Sequence, residues 1–187
     1  MKFFIGSDIH GDINAAQQMI QAFKRSHADY LICLGDLLNH GPRNPIPEHY
    51  APLEVAALLN TLSERLIVIR GNCDSEVDQA LCHFPMLTDY QMIPRPTHRL
   101  FCTHGHIYSA ESLPSFLGAG DVFISGHTHI PVAECAANGI FRLNPGSVAI
   151  PRNDWPASYG LVDDQQIQVL SLADANILIE CSLGHLQ

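Results

Sequence analysis

Five short apolar runs in this chain each stop beside a glycine and a polar side chain of the kind that ligates metal ions. Phe3-Phe4-Ile5-Gly6-Ser7 leads into Asp8-Ile9-His10, and Leu31 to Gly35 leads into Asp36. Leu66 to Gly71 leads into Asn72, Leu100 to Thr103 into His104-Gly105, and Val122 to Gly126 into His127-Thr128-His129. Runs of this length bounded by glycine read as buried strands. In open α/β sheets, ligands bind beyond the carboxyl ends of the strands. Five strands delivering Asp, Asn and His to one edge build a polynuclear metal site, which constrains the fold more tightly than any single motif does.

The chain has 187 residues, enough for one domain with a substantial interior. Hydrophobic residues make up 47% and charged residues 16%, the balance of a globular protein rather than a disordered one. A net charge of −9 disfavours a nonspecific nucleic-acid binder, which needs a basic footprint. The apolar runs are far shorter than a membrane span. The Met1–Gly6 stretch is broken by Asp8 too early for a signal peptide, so residues 2–7 read as a first strand. Cys33 and Cys102 sit inside apolar strand runs and there is no CxxC pair, so the six cysteines fit a reduced, cytoplasmic protein.

The first two thirds of the chain alternate strand and helix. Asn14 is the expected cap of a helix through about Arg25, with Gln17 as its capping-box partner. A strand over 30–35 follows, then a helix from Pro52 to about Leu62 and a short helix capped by Ser75 and carrying Val77, Ala80 and Leu81. This alternation implies βαβ units and a largely parallel core sheet. In the last third, Pro131–Cys135, Ile140–Leu143, Tyr159–Val162 and Ile167–Leu172 read as short strands, with hairpin turns at Asn138-Gly139 and at 163–165. The reading is a single domain over 1–187, α/β in class, with two packed mixed sheets flanked by helices. Residues 39–52 form a proline-rich loop directly after Asp36, long enough to overhang a site.

Each motif alone is weak, since a lone histidine is more often a core or surface residue. Together Asp8, His10, Asp36, Asn72, His104, His127 and His129 are too many for one tetrahedral zinc and suit two sites sharing a carboxylate. Oxygen and imidazole donors without thiolate favour Mn²⁺, with Fe²⁺, Co²⁺, Ni²⁺ or Zn²⁺ as alternatives, over Ca²⁺. Two divalent cations set against Asp8, Asp36 and a hydroxide leave the site weakly positive. That suits an anionic phosphate ester, and paired metals are the usual arrangement for in-line phosphoryl displacement.

The set Asp8/His10, Gly35-Asp36, Gly71-Asn72, His104 and Gly126-His127-Thr128-His129 resembles the calcineurin-like metallophosphoesterase superfamily, with its D-x-H, G-D, G-N, H and G-H-x-H blocks in that order. Gly71-Asn72-Cys73-Asp74, Asn144-Pro145-Gly146-Ser147 and the stretch Gly35–Asn44 are similar to the compact YfcE-type bacterial phosphodiesterases. The resemblance implies a four-layer α/β/β/α sandwich. It also implies one metal on Asp8, His10 and His129, a second on Asn72, His104 and His127, and Asp36 bridging them. The activity it implies is hydrolysis of small phosphodiesters by a metal-bridging hydroxide, with Asp36, Asn72, Cys73 and His104 as the catalytic set. Many members carry His after the Asn; here that position is Cys73, a weak donor, so a catalytic and a packing role both stand at this point.

Asn39, His40, Arg43 and His106 are the candidate substrate contacts, Arg43 through a bidentate grip on a phosphate oxygen. The expected partner is a small phosphate ester, with neither membrane nor nucleic acid; a homo-oligomer is compatible with the sequence. A phosphomonoesterase, a nuclease and a noncatalytic scaffold of the same fold are the alternatives.

Overall fold

The apolar runs form strands whose side chains alternate between two cores. In β1 (Phe3–Gly6), Phe4 enters the core beneath the helices while Phe3 and Ile5 enter the core between two sheets. The computed structural model describes residues 1–184, so the end of the expected 1–187 domain lies outside the described residues.

Strand β1 pairs in parallel with β2 (Tyr30–Cys33), and β2 with β3 (Leu66–Val68). On its other side β1 meets β9 (Ser158–Val162) antiparallel, and β10 (Gln166–Ser171) and β11 (Ile177–Ser182) extend this first sheet by hairpins. The second sheet contains β4 (Tyr90–Pro94), β5 (Arg99–Thr103), β6 (Val122–Ile124), β7 (Val132–Cys135) and β8 (Phe141–Asn144), in the order β4-β5-β6-β8-β7. Here β5, β6 and β8 run parallel, and the outer strands β4 and β7 are antiparallel to their neighbours. Both sheets are therefore mixed. Ile5, Ile32, Leu34 and Ile69 of the first meet Leu100, Cys102, Ile124 and Leu143 of the second in one buried layer. The parallel strands of each sheet end at the same edge, directly above that layer.

Helices α1 (Ile13–Ser26) and α2 (Pro52–Asn60) cover the outer face of the first sheet, with the segment after α3 (Glu76–Gln79) adding Cys82, Phe84 and Met86. The outer face of the second sheet is covered by the segment between β5 and β6, whose Tyr108, Leu113 and Leu117 pack on Phe101, Phe123 and Ile140. In this chain the fourth layer is thus loop.

Local signals placed most elements within a residue or two, with informative exceptions. The cap of α1 is Asp12, not Asn14: Asp12 Oδ1 accepts the Ala15 N–H at 2.9 Å, which leaves Gln17 without a capping role. Strand β2 ends at Cys33 rather than residue 35, because Gly35 has already turned into the left-handed region with φ 104°. Helix α2 stops at Asn60, two residues short of Leu62, where a 3₁₀ turn over Ser63–Arg65 begins to form. Ser75 does cap α3: its N–H and Oγ both reach Asp78 Oδ2 at 2.8 Å, and Ala80 and Leu81 lie beyond the helix end. Strands β4 and β11 had no sequence expectation. Both are edge strands with largely solvent-facing side chains, so the core imposes no alternation on them.

Candidate metal centre

The seven candidate ligands converge at the shared edge. Asp8 Oδ1 lies 3.6 Å from His10 Nε2 and 3.2 Å from His129 Nε2, and these two imidazole nitrogens are 3.4 Å apart. Asp36 Oδ2 lies 3.8 Å from His10 Nε2 on one side and 3.6 Å from His104 Nε2 on the other. His104 Nε2 is in turn 3.2 Å from Asn72 Oδ1 and 3.2 Å from His127 Nδ1. Two groups of donors therefore flank Asp36, one built from Asp8, His10 and His129, the other from Asn72, His104 and His127.

Backbone carbonyls decide which nitrogen each ring presents. His10 Nδ1 is 3.0 Å from the Asn39 oxygen, His104 Nδ1 2.8 Å from that of Leu34, and His129 Nδ1 2.5 Å from that of Ile150. A carbonyl can only accept, so each Nδ1 carries the proton and each Nε2 turns a lone pair into the site. Asp8 Oδ2 accepts from Ser7 Oγ at 2.6 Å and from the His127 N–H at 3.2 Å, but Oδ1 is buried and, among the described residues, meets only the imidazole nitrogens and no hydrogen-bond donor. The centre is thus a set of acceptors facing acceptors. Left so, it would carry the desolvation cost of several unsatisfied polar groups. Divalent cations satisfy all of them at once, and the residues fit such ions.

The close packing of these groups shifts their pKa values. Burial would raise the Asp8 carboxyl, yet the adjoining His10 and His129 imidazoles hold it well below the usual carboxylate range. Burial would lower His10, yet Asp8 raises it. His127 is lowered by burial and by His104, which keeps it neutral and free to ligate.

Holding the ligands there strains the backbone. Asp8, His10, Asp36, His127 and His129 all adopt left-handed φ, between 50° and 67°. Non-glycine residues pay roughly 1–3 kcal/mol for such conformations and hold them where surrounding contacts impose them. Here those contacts run between loops: Asp8 N–H to Gly35 O at 3.1 Å, His10 N–H to Asp36 O at 2.9 Å, and Gly126 N–H to His104 O at 2.8 Å. Two glycines are required by close approach. A Cβ on Gly35 would strike the Gly71 backbone, and one on Gly71 would strike the Asp36 carboxylate.

Four supporting residues carried no ligand-type signal of their own. Buried Asp74 accepts the backbone N–H groups of Asp36 at 2.8 Å, Leu37 at 2.9 Å and Gly71 at 2.7 Å, tying two ligand loops together. Burial pushes its carboxyl up to about 6, with those donors pulling the other way. Asn144 Nδ2 donates to Gly126 O at 2.8 Å, and Ser147 Oγ donates to Asp8 O at 2.9 Å, so the Asn144–Ser147 turn braces the ligand loops. The fourth, Arg152, lines the cavity over the site together with Asp36, Arg43, Asn72, Cys73, His127 and His129. Among the expected substrate contacts, Arg43 opens into that cavity. Asn39 instead folds its side chain onto the Gly41 N–H at 2.8 Å. His40 packs edge-on against Tyr50, ring centroids 5.4 Å apart, and His106 is exposed beside His104 with centroids 5.3 Å apart.

Against known proteins, a model of the calcineurin-like phosphoesterase superfamily domain matches residues 1–166. The chain belongs to that superfamily. Phosphodiesterase YfcE of Escherichia coli strain K12 is 48% identical over 184 residues, covering 98% of this chain and 99% of that protein. The probable metallophosphoesterase YsnB of Bacillus subtilis is 28% identical over 169 residues, 87% of this chain and 83% of its own. A solved structure of YfcE, a phosphoesterase from Escherichia coli, superposes with a TM-score of 0.95 at 47% identity, over 98% of this chain and 100% of the other. The fold extends to Vps29 of Entamoeba histolytica complexed with Zn²⁺, with a TM-score of 0.64 at 19% identity over 98% of this chain and 100% of that one. Superfamily membership implies divalent metal ions, and groups of residues that could hold them are brought together here.

Proposed function

We propose that this chain hydrolyses small phosphodiesters and that Asp8, His10, Asp36, Asn72, His104, His127 and His129 hold two divalent cations for that purpose, Mn²⁺ by preference. It is a phosphoric diester hydrolase of the metallophosphoesterase kind, in keeping with its full-length similarity to a protein named a phosphodiesterase. The observation that carries the ligand assignment is the partnerless, buried Asp8 Oδ1 among inward-facing imidazole lone pairs. When bound, the cations supply Lewis acidity that lowers the pKa of a water and neutralises charge on the phosphoryl oxygens. The donor set of oxygen and imidazole without thiolate supports Mn²⁺ over softer metals.

The chain's own residues do the rest. Asp36 stands between the two ligand groups, and its Oδ1 is fixed by the Cys73 N–H at 2.8 Å. Arg43 lines the cavity, which supports a role in orienting a phosphate oxygen. Cys73 lies beside the site, but burial and the Asp36 carboxylate push its thiol up to about 12. A thiol is also a weak hydrogen-bond donor, which makes Cys73 a poor acid for an alkoxide leaving group. The preferred diesters accordingly carry good, aryl-type leaving groups.

The reading takes the whole chain, 1–187, as one metallophosphoesterase domain: the family match covers 1–166, and β10 and β11 complete the first sheet beyond it. It places the protein in a reducing cytoplasm, supported by Cys33, Cys82 and Cys102 packed as thiols in the cores. No helix among the described residues is long and apolar enough to cross a membrane. The test is hydrolysis of bis(p-nitrophenyl) phosphate before and after chelation. Chelation is expected to abolish the reaction and added Mn²⁺ to restore it; activity that resists the chelator would contradict the reading.

A further inference from the structure

Four of the eight arginines in this acidic chain are paired with a carboxylate. Arg70 pairs with Asp89, Arg95 with Asp164, Arg99 with Asp121 and Arg142 with Glu134. Arg65 donates to the carbonyls of Ala28 and Asp29. Among the described residues Arg25, Arg43, Arg65 and Arg152 form no ion pair, and of these Arg43 and Arg152 open onto the cavity of about 220 Å³ above the metal centre.

Arg152 is exposed, but its backbone and its guanidinium are both hydrogen-bonded. Its N–H donates to the carbonyl of His129 at 3.3 Å, and two residues earlier Ile150 O accepts from His129 Nδ1 at 2.5 Å. Asn153 and Asp154, immediately after it, both adopt left-handed φ, of 54° and 60°, and turn the chain away. Across the cavity, Arg152 Nη2 donates to Asn44 Oδ1 at 3.3 Å. Asn44 is itself tied into the loop after Asp36 by its Nδ2 to His40 O at 2.9 Å and its N–H to Gly41 O at 3.3 Å. A guanidinium braced by an amide rather than a carboxylate keeps its full charge and several free donors.

Charge counting shows what that site lacks. Two divalent cations balanced by Asp8, Asp36 and a hydroxide leave about one positive charge, which one phosphodiester anion cancels. Arg43 can meet the negative charge that shifts from the attacking oxygen onto the phosphoryl oxygens in the transition state. Arg152 then has nothing on a simple diester to neutralise. We infer that Arg152, braced by Asn44, receives a second acidic group on the substrate, so that the preferred phosphodiesters carry a carboxylate or a phosphate on one arm. This inference rests on the phosphodiesterase reading above.

Three substrates test it, each releasing p-nitrophenolate in the presence of Mn²⁺. Their retained arms are p-carbamoylphenyl, p-carboxyphenyl and p-phosphonophenyl, and each rate is normalised to the substrate's own alkaline hydrolysis. The neutral amide matches the carboxylate in size, and the phosphonate stands for a phosphate. The wild-type protein should favour at least one acidic arm over the amide by tenfold or more in kcat/KM, chiefly through KM, and the better arm identifies the acid. Arg152→Gln should reduce that ratio to threefold or less, whereas Arg25→Gln, on α1, should preserve it. Equal use of all three arms, or a preference that survives Arg152→Gln, would overturn the inference while leaving the phosphodiesterase reading intact. Hydrolysis of none of them would instead count against the phosphodiesterase reading itself.

Discussion

At the scale of single residues, the centre depends as much on groups that never face the substrate as on the ligands. Asp74 is the clearest case. Its carboxylate accepts three backbone N–H groups from two ligand loops, and no other side chain among the described residues links Asp36 and Gly71 in this way. Asp74→Asn keeps the shape but turns an N–H toward donors, leaving buried groups unpaired. We expect a loss of metal affinity of about 10–100-fold, measured by titration calorimetry with Mn²⁺, together with a fall in kcat. Unchanged affinity would mean that the loops hold themselves. Cys73 points the other way. Its thiol is a weak hydrogen-bond donor and contributes little as an acid, so Cys73→His should raise turnover of diesters with alkyl leaving groups by about tenfold or more. A large drop in that assay would show that the thiol itself takes part.

At the scale of elements, the legibility of the chain followed burial. The runs ending at Asp8, Asp36, Asn72, His104 and His127 stood out because both faces of their strands are largely buried, which demands continuous apolar sequence. Edge strands β4 and β11 were invisible for the opposite reason. The ligands were legible as residue types beside glycine, but the left-handed backbone at five of them was not, since Asp and His give no local sign of it. Arg152 was illegible as well: its place is set by contacts with His129 and Asn44, far away along the chain. A further element-scale consequence concerns Asp121, which joins the starts of β5 and β6 to the loop that covers the second sheet. It accepts from Arg99 Nε at 3.0 Å and Nη2 at 2.5 Å and from the Gly118 N–H at 2.9 Å. Burial would raise its carboxyl, but Arg99 and Gly118 hold it below the ordinary value. A depressed pKa in the folded state means that the stabilisation is present above pH ~4 and is lost as pH falls through the folded value. Asp121→Asn should lower Tm at pH 7 by about 3–6 °C and flatten the decline of Tm between pH 4 and 3. Parallel wild-type and variant curves over that range would rule out this ion pair as a source of acid sensitivity.

For the whole molecule, two mixed sheets meet so that the parallel strands of each deliver their loops to one edge, and seven side chains from five loops enclose a space that no donor among the described residues fills. The strained loops, the fixed imidazole tautomers and the acceptor-only centre make sense together if cations complete the site. Anomalous diffraction from crystals grown with Mn²⁺ tests this most directly. The account predicts two peaks about 3.5–4 Å apart, both in contact with Asp36, one beside Asp8, His10 and His129 and the other beside Asn72, His104 and His127. A single peak, or peaks away from Asp36, would contradict it.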